Sequence, residues 1–102
     1  PYIDNCVGGT SEYFTHFSPF MEKINYQQGY PIGTLLLYNY NPIDQGHLAV
    51  VIDTNSNICL EQQKIIHAKG WKDYKVVIET LSSDEENIKK YTHICLPKYC
   101  LV

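Results

Sequence analysis

Between Gly33 and Gln63 the apolar residues come in short runs separated by polar turn-formers. Gly33 to Tyr40 is an apolar run with no helix breaker inside it, and predicts a strand. Asn41-Pro42-Ile43-Asp44-Gln45-Gly46 marks a turn. His47 to Asp53 places Leu-Ala-Val-Val-Ile behind a single histidine and predicts a second strand. Thr54-Asn55-Ser56-Asn57 is the next turn signal, and Ile58 to Gln63 is expected as a third strand, with Ile65-Ile66 as its prolongation. Side chains alternate faces along a strand. His47 therefore shares a face with Ala49 and Val51. Cys59, Glu61 and Gln63 share a face on the third expected strand, opposite Ile58, Leu60 and Gln62.

The flanks are read the same way. Val7, Thr10, Tyr13, Phe14 and Phe17 recur at roughly helical spacing, which predicts a helix over Thr10 to Phe17. Gly8 and Gly9 disfavour helix by about 1 kcal/mol each relative to alanine; a close approach of backbone or ligand there would explain them. Met21 to Tyr30 is polar and reads as a short helix and a connection. Lys75 to Leu81 predicts a fourth strand around Val76-Val77-Ile78. Ser82 or Ser83 is a candidate N-cap, with Asp84-Glu85-Glu86 in the first turn of a short helix reaching about Lys90. Tyr91 to Leu96 predicts a fifth strand that Pro97 ends. The expected fold is α+β: an N-terminal helix packed on an antiparallel sheet of about five strands, in one domain over residues 1–102.

Composition narrows the partners. A chain of 102 residues that is 44% hydrophobic and 19% charged is expected to be globular. A formal net charge of −3 argues against nucleic acid, which needs a basic surface. No apolar run approaches the roughly 20 residues of a membrane span, and no signal peptide is visible. Pro1 either follows a removed initiator methionine or begins a fragment of a longer protein. Four cysteines stand at positions 6, 59, 95 and 100, with no Cys-x-x-Cys pair, so neither a zinc ribbon nor a thioredoxin motif is expected. Cys95 and Cys100 could bridge in an oxidising compartment, but the cysteine usage favours a reducing, cytoplasmic one.

The candidate chemistry starts from His47. If the second and third strands pair antiparallel, His47 can meet Glu61 or Gln63. A histidine oriented by a carboxylate or amide is two parts of a nucleophilic site, and Cys6 is a candidate for the third. A buried structural cysteine is the more common role for a lone Cys6. A metal site is not expected, because no ligand pair has the usual spacing.

Taken together, Asn5-Cys6-Val7, then Pro31-Ile32-Gly33-Thr34-Leu35-Leu36-Leu37-Tyr38, then Gly46-His47-Leu48-Ala49-Val50-Val51, then Glu61-Gln62-Gln63-Lys64-Ile65-Ile66-His67 resemble the CHAP amidase/peptidase group. They look closest to the amidase domain of glutathionylspermidine and trypanothione synthetases, within the papain-like NlpC/P60 superfamily. The resemblance covers most of residues 1–70. It implies a papain-like fold and a Cys-His-Glu site without a cofactor: Cys6 as nucleophile, His47 as general base and then acid, Glu61 orienting His47. Asn5 is implied near the oxyanion, and Gln63 along the site. His67 is expected as a cleft residue or a structural histidine, and Trp71 as a cover of the cleft or a core or rim residue. Ile66-His67-Ala68 also mimics the setting of the third catalytic histidine of NlpC/P60 peptidases, although its spacing from His47 is long. His16 and His93 are expected to be structural or exposed. Cys59 is expected to line the cleft or pack in the core.

The chain starts five residues before Cys6, and the segment from Cys6 to Pro31 is short, so an N-terminally shortened domain is expected. Gly8-Gly9-Thr10-Ser11-Glu12 carries no arginine where the glutathionylspermidine amidases have one after the nucleophile. Two functions follow. One is a cysteine amidase or peptidase acting on a glutathionylspermidine-like or peptidoglycan-type amide. The other is an inactive amidase-fold domain that serves as a binding or structural module in a larger assembly.

Overall fold

The computed structural model describes Thr15 and residues 17–39, 46–69 and 75–100. These form an α+β domain around a six-stranded antiparallel sheet. The strands are β1 (Met21–Lys23), β2 (Leu35–Tyr38), β3 (His47–Val51), β4 (Lys64–Lys69), β5 (Lys75–Thr80) and β6 (His93–Cys95). Their order across the sheet is β1-β6-β2-β3-β4-β5. One helical turn, α1 (Pro97–Cys100), follows β6. The proline that stops the strand suits the first turn of a helix, where its missing N–H costs nothing. Of the expected N-terminal helix only Thr15 and Phe17 are described. No helix among the described residues is long and apolar enough to cross a membrane.

Alternation along the strands feeds two cores. Leu36, Tyr38, Ala49, Val51, Ile65 and Ile94 face one side, where Tyr30, Leu60, Leu81 and Tyr91 close over them. Leu37 and Cys95 face the other, against Phe17. Full burial of Leu60 and of Leu81 stabilises by about 1.5–3 kcal/mol each. Toward β5 the second face is open: Val76 and Ile78 are largely exposed.

Three expectations are corrected. Ile58 to Gln63 is a loop ending in the 3-10 turn Leu60–Gln62, and the strand begins only at Lys64. The cause is Gln63, whose fully buried side chain works as a clamp. Its Oε1 accepts from Tyr30 N at 3.0 Å, and its Nε2 donates to Tyr30 O at 2.8 Å and Asn55 O at 3.0 Å. The loop also presses on Gly29, where a Cβ would stand 2.0 Å from Ser56 O. Second, Met21–Lys23 is a sixth strand, because the sheet edge at β6 accepts even a polar segment in register, Met21 opposite Cys95. Third, Ser82 to Lys90 is a 3-10 turn, Leu81–Ser83, followed by turns. Asp84 is fully buried and held by Asn87, so it cannot serve as a solvated first-turn acid. Cys95 is buried, with its Sγ against Leu96 O.

Candidate active site

The site grows from the pairing of β3 with β4. Val50 stands opposite Ile66 and Val51 opposite Ile65. By alternation, His47, Ala49 and Val51 share a face with Ile65, His67 and Lys69. Gly46 precedes β3 with φ +82°, a conformation that favours glycine, and it turns the chain so that His47 opens the strand. On β2, Tyr38 is the direct partner of His47. On β5, Glu79 stands opposite Ile65, and so lies diagonal to His67 on the same face.

These placements join seven side chains. Nε2 of His47 lies 2.8 Å from Nδ1 of His67. Nε2 of His67 lies 2.7 Å from Oε2 of Glu79. Lys69 Nζ donates to Glu79 Oε2 at 3.1 Å and stands 3.3 Å from Asp84 Oδ1. Asn87 Nδ2 donates to both oxygens of Asp84, and Asn87 Oδ1 accepts from Tyr38 Oη at 2.9 Å. The chain closes on itself, since the Tyr38 ring stands beside that of His47, with Tyr91 as a further neighbour. The His67 side chain is fully buried and that of Asp84 is too, whereas His47 is half-buried. A buried polar network of this kind is rigid when its members are satisfied.

Electrostatics follow the geometry. Burial pushes the Glu79 carboxyl up, but the hydrogen bonds from His67 and Lys69, with the Lys69 charge, outweigh it and hold the group below the usual glutamate range. The hydrogen bond to Glu79, opposed by burial and aided by Asp84, holds the Lys69 ammonium above its usual range. Burial, with Asp84 nearby, pushes the Tyr91 phenol up. A carboxylate that accepts from one imidazole nitrogen fixes which nitrogen of that ring carries the proton. The arrangement is therefore equipped to hold a histidine base in one tautomer and to take up a proton at the half-buried end.

The residues singled out from sequence fare differently. His47 and His67 are brought together. Glu61 sits on the 3-10 turn, where its charge raises the Tyr26 phenol after burial has done so. Among the described residues it makes no hydrogen bond or ion pair, and the side chain that meets His47 Nε2 is that of His67. Gln63 is a buried clamp with no exposed surface to offer a substrate. Cys59 is half-buried and free. Asn5, Cys6, His16 and Trp71 lie outside the described residues. Sequence reasoning missed Glu79, Lys69, Asp84 and Asn87. The available signal was an acid in the otherwise apolar run Val76-Val77-Ile78-Glu79.

His67, Glu79 and Asp84 bring ligand atoms within 4.8 Å of one another, a set of the right type for a metal ion. Lys69 already supplies a cation to both carboxylates, and His47 occupies the other His67 nitrogen. A search of protein families, curated proteins and solved structures finds no match to this chain.

Proposed function

We propose that this chain is a cysteine-dependent amide hydrolase of the papain-like CHAP and NlpC/P60 kind, with His67 rather than Glu61 as the residue that orients the base. The observation that carries the reading is the 2.8 Å contact of His47 with a fully buried His67 that is itself held by Glu79. The order Cys6, Gly46-His47, Ile66-His67-Ala68 along the chain supports it. Cys6 is the nucleophile, His47 the general base and then acid, His67 the orienting partner.

The reaction is an acyl transfer to sulfur. The Cys6 proton passes to His47, and the thiolate attacks the amide carbonyl carbon. The C–N bond breaks as His47 protonates the departing amine, leaving a thioester. Water, deprotonated by His47, then cleaves the C–S bond and returns the thiol with a carboxylic acid. The substrate class is a small amide, of glutathionylspermidine or peptidoglycan-peptide type. A reducing, cytoplasmic setting goes with this reading, on the cysteine usage of the sequence.

The test is the pH dependence of iodoacetamide labelling, mapped at all four cysteines. Cys6 is expected to label with an apparent pKa well below the roughly 8.5 of a free thiol, and His47→Ala to return it to the ordinary value. A Cys6 that labels as an ordinary thiol rejects the amidase and favours the inactive binding module.

A further inference from the structure

We propose that Glu79 is a positioning residue that acts on His47 through His67 and selects Nδ1 of His47 as the basic nitrogen. Its role in catalysis rests on the amidase reading above, but the proton arrangement itself does not.

The argument is one of donors and acceptors. Glu79 is held ionised by its partners and can only accept, so Nε2 of His67 must donate across the 2.7 Å contact. In a neutral imidazole the other nitrogen, Nδ1, is then an acceptor. The group facing it at 2.8 Å is Nε2 of His47, which must carry the hydrogen. A neutral His47 with its hydrogen on Nε2 has its lone pair on Nδ1. The direction of every proton in the His47–His67–Glu79 series is set from the carboxylate end.

Glu79 is fixed in turn. Lys69 donates to its Oε2 at 3.1 Å and also reaches Asp84 at 3.3 Å. Asp84 takes both bonds of the Asn87 amide nitrogen. Among the described residues, the groups facing the two imidazoles include Lys69 on β4, Glu79 on β5, Asp84 after the 3-10 turn Leu81–Ser83, Tyr38 on β2 and Tyr91 before β6. Of these, only Glu79 meets a ring nitrogen of His67 at hydrogen-bond distance besides His47. Asp84 Oδ2 stays 3.8 Å away from Nδ1.

The experiment is long-range proton–nitrogen correlation NMR on the full chain with 15N-labelled histidine, read at a pH where the nitrogen shifts themselves report neutral rings. Expected in the wild type are hydrogens on Nε2 of both His47 and His67. Glu79→Gln keeps an acceptor oxygen and is expected to keep both tautomers. Glu79→Ala removes it and is expected to give mixed tautomers at His67 and, through it, at His47. A wild-type His47 with its hydrogen on Nδ1 overturns the proposal before any variant is made. So does a folded Glu79→Ala protein with both tautomers unchanged. The two readings separate cleanly: the expected tautomers with an ordinary, unreactive Cys6 uphold the positioning role of Glu79 toward His47 and reject the amidase. If the amidase reading holds, Glu79→Ala is also expected to lower kcat and shift its pH profile while leaving KM nearly unchanged, and Glu79→Gln to recover most of the loss.

Discussion

Glu79 lies diagonal to His67 across the β4–β5 pair, and its Oε2 meets the imidazole Nε2 at 2.7 Å. The contact joins the half-buried His47 to a buried polar chain of Lys69, Asp84, Asn87 and Tyr38. Strand alternation explains the join. Three inward positions on neighbouring strands, His47, His67 and Glu79, are steps along one diagonal of a sheet face that also carries Lys69.

His67→Ala is expected to lower kcat/KM for amide hydrolysis by about 10²-fold or more, the scale at which positioned base catalysis contributes. Glu61→Gln is expected to stay within about twofold of wild type, because Glu61 stands on a turn away from the His47 nitrogen that His67 holds. Steady-state rates of the two variants check this. An inactive Glu61→Gln with an active His67→Ala reverses the assignment.

The sheet was legible from the spacing of apolar runs: β2, β3, β5 and β6 fall inside the strands expected from the sequence. The registration of β4 was not. Cys59-Leu60-Glu61-Gln62-Gln63 alternates like a strand, and only the partners of Gln63, the distant backbone N–H and C=O of Tyr30 and the nearer Asn55 O, pull it into a loop. That shift leaves His67, and not Glu61, in contact with His47. The motif Ile66-His67-Ala68 carried the signal for that contact, and the long spacing from His47 counted against it. The length is taken up by the loop around Gly29 and the 3-10 turn, which no local pattern reveals. Asp84 was hidden for a related reason. Beside Glu85 and Glu86 it reads as a solvated charge, and its burial depends on Lys69 and Asn87.

Gln63→Ala should therefore act on stability, not on substrate binding. It leaves Tyr30 N, Tyr30 O and Asn55 O without the partner they have now. Orphaning the two groups of the buried Tyr30 costs about 1–3 kcal/mol each, whereas Asn55 is exposed and its carbonyl can turn to water. A loss of roughly 3 kcal/mol or more is expected by urea unfolding, with KM nearly unchanged in the fraction that remains folded. A raised KM at unchanged stability would return Gln63 to the substrate site.

The Glu79 carboxyl has a folded-state pKa below its unfolded value of about 4.3. A depressed carboxyl contributes stability that is present above the unfolded pKa and is lost as pH falls through the folded one. Lys69 has the opposite sign: its raised pKa contributes stability below about 10.4 that is lost as pH rises through the folded value. Urea midpoints are expected to fall on acidification below about pH 4.3, less steeply in Glu79→Gln. Parallel acid slopes for the two proteins would show that Glu79 is not the linked group.

Tyr38 and Tyr91 pack edge to face, 5.6 Å apart, and both are buried, yet their hydroxyls differ. Tyr38 Oη donates to Asn87 Oδ1, whereas Tyr91 Oη has no hydrogen-bond partner among the described residues. Removing a made hydrogen bond costs about 1 kcal/mol, while removing an unsatisfied buried hydroxyl relieves a desolvation penalty of about 1–3 kcal/mol. Tyr38→Phe is expected to destabilise by about 1 kcal/mol, and Tyr91→Phe to be neutral or stabilising. The asymmetry should reach the site as well. Tyr38→Phe frees the Asn87 amide that orients Asp84, and so loosens Lys69 and Glu79 behind His67. Tyr91→Phe leaves that series intact. Thermal unfolding and the histidine nitrogen spectra of both variants measure the difference. Equal destabilisation of the two would mean that the hydroxyl of Tyr91 is hydrogen-bonded in the folded protein.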